Sequence, residues 1–220
     1  MKALIISDIH ENFGRFKVKN LPDADVCFIA GDITNYGKQG TPKSLYKAEQ
    51  WLLSLKTKYS QIFCIPGNHD ISFGNTPFAE TPGIDYIMDT TVTWEGYTIH
   101  GVSLTQCYDM PELVTCWDYM TCRPEVELAA FDFEKVDIVL SHGPPLGILD
   151  KAGYDLITRT FVHIGSPALL LYLDNHNPKF VFCGHEHSSF GTQEYKSTCV
   201  INAAEHAILV DLETKEILHW

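Results

Sequence analysis

Five short motifs that combine acidic, amide or imidazole side chains with glycine or a strand end are distributed along the 220-residue chain. They are Asp8-Ile9-His10, Gly31-Asp32, Gly67-Asn68-His69-Asp70, Ser141-His142-Gly143 and Gly184-His185-Glu186-His187. Nearly every motif follows an apolar run, and side chains at the carboxyl ends of strands meet at one edge of an open α/β sheet. Oxygen and imidazole ligands suit Mn, Fe, Ni or Zn without singling out one of them. The pattern therefore predicts one site for two divalent metals.

The first three motifs supply different kinds of ligand. Asp8 and His10 are two residues apart, so an extended segment directs both side chains to one side. Asp32 has two carboxylate oxygens and can bridge two cations, which one imidazole nitrogen cannot do. Asn68 offers a neutral carbonyl oxygen, and the adjacent His69 can reach a substrate without binding metal. Gly-Asp and Asn-His-Asp also occur in ordinary turns, but their company here favours ligation over that alternative.

Three histidines, His142, His185 and His187, follow two further apolar runs. One histidine at a strand end is usually structural, whereas three beside several carboxylates indicate metal binding. His206, after Asn202-Ala203-Ala204, is retained as a neighbour of the site. The histidines expected to be structural are His100, His163, His176 and His219.

Composition limits the classes of partner and compartment. The formal net charge is -12, which disfavours long nucleic acids because they bind mainly clustered Lys and Arg, and leaves a small phosphoester open. The chain has no long charge-free apolar stretch of the kind that predicts a membrane span. The N-terminus lacks the pattern of a secretory signal. The seven cysteines include no Cys-x-x-Cys pair, which favours a reducing, cytoplasmic compartment. The sequence predicts no oligomeric state.

Hydrophobic periodicity predicts an α/β layered fold in one domain, residues 1–220. The expected strands are Ala3 to Ser7, Val26 to Ala30, Ile62 to Ile65, Thr98 to Val102, Asp137 to Leu140, Phe180 to Cys183, Cys199 to Asn202 and Ala207 to Asp211. Their continuous apolar character indicates strands covered on both faces. The expected helices are Thr41 to Tyr59, Ala168 to Asn175 capped by Ser166-Pro167, and Pro124 to Phe133. The stretch from Ser103 to Arg123 is expected to be irregular. Substrate specificity is expected to depend on this stretch and on a second one, Ile71 to Thr90.

The motif set resembles the calcineurin-like metallophosphoesterase superfamily, whose pattern D-x-H, G-D, G-N-H-D/E, H and G-H-x-H it matches from Asp8 to His187. Ser141 to Asp150 and Gly165-Ser166 further resemble small metallophosphoesterase-domain proteins related to class III cyclic-nucleotide phosphodiesterases. The resemblance implies a four-layer α/β/β/α sandwich of two mixed sheets, with two metals at the strand ends and Mn as the metal expected for activity. It assigns Asp8, His10, Asp32 and His187 to one metal, and Asp32, Asn68, His142 and His185 to the other.

One departure separates the chain from the protein Ser/Thr phosphatase branch. There the Gly-Asp motif continues into an Asp and an Arg, whereas here Ile33-Thr34-Asn35-Tyr36 follows. Asn35 matches the acid that orients the catalytic histidine in that branch, and its amide oxygen can still accept a hydrogen bond from His69. The phosphate-binding Arg is absent, which argues against protein phosphatase activity of that kind.

The expected reaction is hydrolysis of a small phosphoester, with a diester preferred. A hydroxide bridging the two metals would attack phosphorus, and His69 would protonate or stabilise the leaving oxygen. The alternatives are a phosphomonoesterase or nuclease that uses the same site, and a non-catalytic metal-binding interaction module.

Overall fold

The apolar runs form the central strands of two mixed sheets in the computed structural model, which describes residues 1–35, 42–70, 82–107, 119–155, 157 and 159–219. The strands are β1 (Lys2–Ile6), β2 (Val26–Ala30), β3 (Gln61–Ile65), β4 (Ile84–Tyr86), β5 (Thr90–Trp94), β6 (Tyr97–Val102), β7 (Thr105–Gln106), β8 (Met120–Thr121), β9 (Ile138–Ser141), β10 (Lys151–Asp155), β11 (Thr160–His163), β12 (Phe180–Cys183), β13 (Gly191–Tyr195), β14 (Thr198–Asn202), β15 (Ala207–Asp211) and β16 (Ile217–His219). The α-helices are α1 (Pro42–Leu55), α2 (Pro124–Ala130) and α3 (Pro167–His176). Short 3-10 turns cover Val18–Asn20 and His187–Ser189.

Each large sheet has a parallel centre with antiparallel strands added at its edges. The first has the order β16-β15-β1-β2-β3-β4, in which β1 to β4 are parallel. The second has the order β13-β14-β12-β9-β6-β5, in which β14, β12, β9 and β6 are parallel. Parallel strands place their carboxyl ends at one edge, so each sheet directs several strand ends toward the same side of the molecule.

Three buried clusters separate four layers. Phe28 and Phe63 of the first sheet pack against Phe182 of the second in the cluster between the sheets. A second cluster joins the outer face of the first sheet to Leu52 and its neighbours on α1. A third joins the outer face of the second sheet to Leu169 and its neighbours on α3, together with residues that follow α2. The four-layer α/β/β/α sandwich expected from the sequence is confirmed, and its central strands are buried on both faces.

The helices follow the sequence with corrections at their ends. Ser166 caps α3 as predicted, because its side-chain oxygen accepts a 2.9 Å hydrogen bond from the Leu169 amide. The first helix ends at Leu55 and not at Tyr59, whose ring stays buried while its hydroxyl donates to the Pro22 carbonyl. The second ends at Ala130, three residues before Phe133. Within the described ranges, no helix is long and apolar enough to cross a membrane.

Several short strands were not predicted. They are β4, β5, β7, β8, β10, β11, β13 and β16, which lie at sheet edges or form two-stranded ribbons. Edge strands carry mixed polar sequences, so their hydrophobic pattern is weak. The segment from Ser103 to Arg123, which was expected to be irregular, contains the paired strands β7 and β8. Residues 108–118 of this segment, with Cys116, lie outside the described part of the chain. The same is true of residues 71–81 in the other segment expected to set specificity, whose later part contains β4 and the start of β5.

The buried imidazole of His100 predicts an acid-sensitive element of stability. Its ring stacks on Phe133 at 3.6 Å and its Nδ1 lies 2.8 Å from the Thr91 hydroxyl. Burial lowers the pKa of His100 to about 4, so between about pH 6.5 and pH 4 the unfolded chain binds a proton that the folded chain does not. Urea unfolding at pH 7 and pH 5 should show the wild type losing about 1–2 kcal/mol more than His100→Gln. Equal losses in both proteins would contradict this account.

Candidate metal centre

The residues predicted to bind metal follow strands of both sheets. Asp8, Asp32 and Asn68 come after β1, β2 and β3 of the first sheet. His142 follows β9, and His185 and His187 follow β12, in the second sheet. The two edges meet because His142 Nδ1 donates a 2.7 Å hydrogen bond to the carbonyl of Ala30, the last residue of β2. The structure thus brings ligands from 177 residues apart into contact, as between His10 and His187.

Sharp backbone turns direct these side chains into the gap between the sheets. Asp8, His10, Asp32 and His185 have φ values of 55°, 46°, 53° and 68°, in the left-handed region that non-glycine residues rarely adopt. This conformation costs about 1–2 kcal/mol per residue. Its recurrence at four predicted site residues indicates strain held by the surrounding strands, as is common at functional sites.

One oxygen of each carboxylate is fixed by a backbone amide. The His185 amide donates to Asp8 Oδ2 at 2.9 Å, and the His69 amide donates to Asp32 Oδ1 at 2.8 Å. The other oxygen of each group is directed toward the histidines. Both carboxylates are buried, and the backbone amides orient them.

Asp8 belongs to the first of two ligand groups. Its Oδ1 lies 3.1 Å from His187 Nε2 and 3.7 Å from His10 Nε2, and the two imidazole nitrogens are 3.4 Å apart. Two atoms bound to one ion at about 2.1 Å are separated by no more than about 4.2 Å. Asp8, His10 and His187 therefore fit one divalent ion.

Asp32 lies between this group and a second one. Its Oδ2 is 3.7 Å from His10 Nε2 and 3.3 Å from His142 Nε2. Asn68 Oδ1 lies 3.1 Å from the same His142 nitrogen. Because His142 Nδ1 carries the proton donated to Ala30, Nε2 is the nitrogen that would bind a metal once its own proton is displaced. One Asp32 oxygen is thus within reach of both groups.

The two remaining histidines flank these groups. The buried His185 ring lies 5.0 Å from that of His142, between centroids, and the His69 ring lies 4.9 Å from that of His10. A ring nitrogen of His69 also comes within 4.8 Å of ligand atoms of His10 and Asp32. These distances alone do not distinguish a metal ligand from a catalytic residue at His69.

The backbone of Asn35 lies near the His69 ring and favours its protonated form. The hydrogen bond expected from His69 to the Asn35 side-chain amide stays a prediction. Burial lowers the pKa of His69, and the positive charge of His10 adds to that effect against the opposing charge of Asp32.

The buried carboxylates and the imidazoles of the site stabilise one another's charged forms. Burial opposes ionisation of Asp8, but hydrogen bonds from His10 and His187 outweigh burial and hold its pKa well below the ordinary value. Burial likewise opposes protonation of His142, yet the charge of Asp32 raises the pKa of His142 to about 10. Burial and the charge of His142 lower the pKa of His185 to about 4. Divalent cations would replace the protons on these imidazoles as the counter-charge of the two carboxylates.

Two residues that support the site were not identified from the sequence. Asp70, which closes the third motif, accepts hydrogen bonds from the amides of Gly67, Thr34 and Ile33 and so fixes the loops that carry Asp32 and Asn68. Burial and the charge of Asp32 raise the pKa of Asp70 to about 7. The position of Asp70 at the end of the Gly67-Asn68-His69-Asp70 motif was the sequence signal that could have identified it.

Glu205 is the second such residue. Its Oε1 lies 3.5 Å from His187 Nδ1, and its Oε2 lies 3.7 Å from Arg15. A carboxylate at the far nitrogen of a metal-binding histidine orients the ring. Nothing in the local sequence indicated this contact.

The site opens into a cleft of about 530 Å³. Its described lining residues are His10, Asp32, Asn35, Asn68, His69, His185, Glu186, His187 and Glu205. His206, expected near the site, stacks on Phe190 at 3.7 Å and bonds the Ala204 carbonyl, and it is not among these residues. The cleft is therefore open to a ligand directly over the two groups of metal-binding side chains.

Residues 1–189 match the calcineurin-like phosphoesterase family. The chain belongs to that family. UPF0046 protein K07C11.7 of Caenorhabditis elegans is 26% identical over 244 residues, which cover 100% of this chain and 75% of that protein. Metallophosphoesterase domain-containing protein 1 of Homo sapiens is 26% identical over 232 residues, or 92% of this chain and 65% of the human protein, so the chain spans less than two thirds of that relative.

A solved structure supports the fold independently. The crystal structure of TT1561 of Thermus thermophilus covers 98% of this chain and 96% of its own, with a TM-score of 0.64 at 18% identity. Family membership makes the chain a metal-dependent phosphoesterase of the calcineurin-like type, and the Asp and His clusters are able to bind metal.

Gly184 offers a test of the packing that holds Asp8. A Cβ on Gly184 would collide with Asp8 Oδ2 and with the Ser7 hydroxyl, so Gly184→Ala should displace Asp8. Divalent-metal affinity should fall by about tenfold or more, as when a residue that supports a ligand is changed. Titration calorimetry with Mn²⁺ measures this. Gly153→Ala, whose Cβ meets nothing within 4 Å, is the matched control, and equal affinities in folded Gly184→Ala and wild type would contradict the prediction.

Proposed function

We propose that the chain hydrolyses a small phosphodiester at a centre of two divalent metals. The observation that carries the proposal is the position of Asp32 Oδ2, 3.7 Å from His10 Nε2 and 3.3 Å from His142 Nε2. A carboxylate oxygen between two groups of imidazole ligands fits a bridge between two ions, the arrangement of two-metal hydrolases.

The proposed ligands divide into two sets that share Asp32. One set is Asp8, His10, Asp32 and His187, and the other is Asp32, Asn68, His142 and His185. Bound metals would supply a nucleophile from water at neutral pH and neutralise charge on the phosphate oxygens. We propose Mn for activity, since oxygen and imidazole donors suit it, as they also suit Fe, Ni and Zn.

His69 is the proposed acid for the leaving oxygen. Its backbone amide donates to Asp32 Oδ1, and the residue lines the cleft beside Asn35. The proton that a departing alkoxide needs would come from this ring, since imidazole is the side chain that most often serves as a general acid or base.

The charge of the cleft favours a diester over a monoester. The residues known to line it include no Lys or Arg, while Glu186 and Glu205 add carboxylates to its rim. A phosphomonoester carries close to two negative charges at neutral pH and a diester carries one. Repulsion by the rim therefore penalises the monoester more.

Two alternatives use the same scaffold. A nuclease acting on long chains would gain little from a protein of net charge -12. A non-catalytic module would have no need of the strained ligand geometry. We also propose a reducing, cytoplasmic compartment, since Cys27, Cys64 and Cys183 are buried thiols within strands.

The variant His69→Ala tests whether His69 is a catalytic acid or a metal ligand. Turnover of a diester with an alkyl alcohol as leaving group, with Mn²⁺, should fall by about 10²–10⁴-fold, the usual contribution of a general acid, while two metals remain bound per chain. Steady-state kinetics and metal analysis on the same sample measure both quantities. His176→Ala, a change of the same type at the end of α3, is the control and should keep full activity.

Two results would contradict this assignment. Loss of one metal together with activity would make His69 a ligand, and unchanged turnover would remove it from the reaction. Partner binding that survives with no turnover in the wild type would favour the interaction module.

The diester preference is tested with a matched pair of substrates. The Mn²⁺-loaded chain should cleave bis(p-nitrophenyl) phosphate with a higher kcat/KM than p-nitrophenyl phosphate, because the acidic rim repels the dianion more. Release of p-nitrophenol is followed by absorbance. Cleavage of the monoester alone would overturn the preference, and rapid digestion of a single-stranded oligonucleotide would favour the nuclease.

A further inference from the structure

A two-stranded parallel ribbon holds two cysteines side by side. Strands β7 and β8 pair with Thr105 opposite Met120 and Gln106 opposite Thr121. The amide of Cys107 donates a 2.8 Å hydrogen bond to the Thr121 carbonyl, which extends the ladder by one step. In a parallel ladder an amide bonds the residue that precedes its register partner, so Cys107 lies opposite Cys122.

This register brings the two backbones within the range of separations that a disulfide spans. Paired strands lie about 4.8 Å apart, and register partners direct their side chains to the same face. Disulfides span Cα separations of about 4.4–6.8 Å and Cβ separations of about 3.5–4.5 Å. The strand spacing meets the first range, and a small movement of the two cysteines, which follow the last paired residues of β7 and β8, would meet the second.

Exposure distinguishes these two cysteines from four others. Cys107 and Cys122 are partly exposed, whereas Cys27, Cys64, Cys183 and Cys199 are buried within strands. Burial also raises the pKa of each of those four thiols, which disfavours the reactive thiolate. A soluble oxidant should reach the ribbon and leave the strand cysteines reduced.

We propose that Cys107 and Cys122 form a reversible disulfide, a redox modification site on the ribbon. The oxidant is a low-molecular-weight disulfide such as oxidised glutathione. One cysteine thiolate attacks it, forming a mixed disulfide and releasing one glutathione thiolate. The other cysteine thiolate then attacks the protein sulfur of the mixed disulfide and releases the second glutathione. The chain loses two electrons and two protons, and the oxidant is reduced to two thiols.

The ribbon lies against the loop of a proposed metal ligand. The Gln106 side-chain amide donates to the Ile164 carbonyl, and a Cβ placed on Gly143, the residue after His142, would lie 3.2 Å from Gln106 Oε1. A bond between Cys107 and Cys122 would fix the register of the ribbon beside that loop and close the chain segment between them. The proposal does not depend on the reaction that the metal centre catalyses.

The test is a disulfide map of the whole chain under native conditions. The protein is incubated with oxidised glutathione, quenched with acid, alkylated with N-ethylmaleimide after denaturation and digested for mass spectrometry. Most molecules should contain a Cys107–Cys122 linked peptide, with a mass lower by two hydrogen atoms and restored by dithiothreitol. Cys116→Ser should keep this peptide, and Cys107→Ser and Cys122→Ser should each lack it.

The wild-type map alone decides the outcome if a variant fails to fold. Cys27, Cys64, Cys183 and Cys199 should carry N-ethylmaleimide in every sample, which confirms that the chain stayed folded during oxidation. A map in which Cys107 or Cys122 is joined mainly to Cys116 would overturn the proposal. So would a map in which both carry only glutathione.

Discussion

The hydrogen bond from His142 Nδ1 to the Ala30 carbonyl joins the two sheets at the edge where the ligands lie. It also fixes the tautomer of the ring, so that Nε2 is presented to Asp32 and Asn68. The contact needs the strand ends to approach closely. Gly31 and Gly67 permit this, because a Cβ at either position would come within 2.7 Å of the His142 ring. The candidate centre depends on this contact together with the one from the His185 amide to Asp8 Oδ2, which joins the ends of β12 and β1.

The energetic cost of the site is distributed over the sheets that hold it. Buried carboxylates and imidazoles are unfavourable alone, and here each group is balanced by an opposite charge or a backbone donor. The left-handed turns at Asp8, His10, Asp32 and His185 add strain that an isolated loop would release. The apolar cluster between the sheets, with Phe28 and Phe182 at its centre, supplies the packing that keeps these turns closed.

The central strands were predictable from side-chain type, and so was the set of candidate ligands that the structure brings together. Apolar runs specify buried strands, and donor side chains after them specify what meets at the strand ends. The edge strands β5 and β16 could not be found in this way, since pairing with a neighbour, and not a hydrophobic face, defines them. Glu205 was missed because its contact with His187 exists only after folding.

The proposed metal ligands and the carboxylates proposed to select substrate charge lie on different elements of this fold. The ligands stand at the ends of buried parallel strands, where packing from both faces leaves little freedom to move. The acidic rim comes from shorter elements: Glu186 precedes a 3-10 turn and Glu205 occupies a bend with φ of 57°. The rim carboxylates can change without disturbing the junction between the sheets, whereas the ligands cannot. Glu205 nevertheless contacts the proposed ligand His187, so the rim and the candidate centre are joined at that point. Under the proposed function the rim carboxylates would select substrate charge, over a centre whose geometry the two sheets impose.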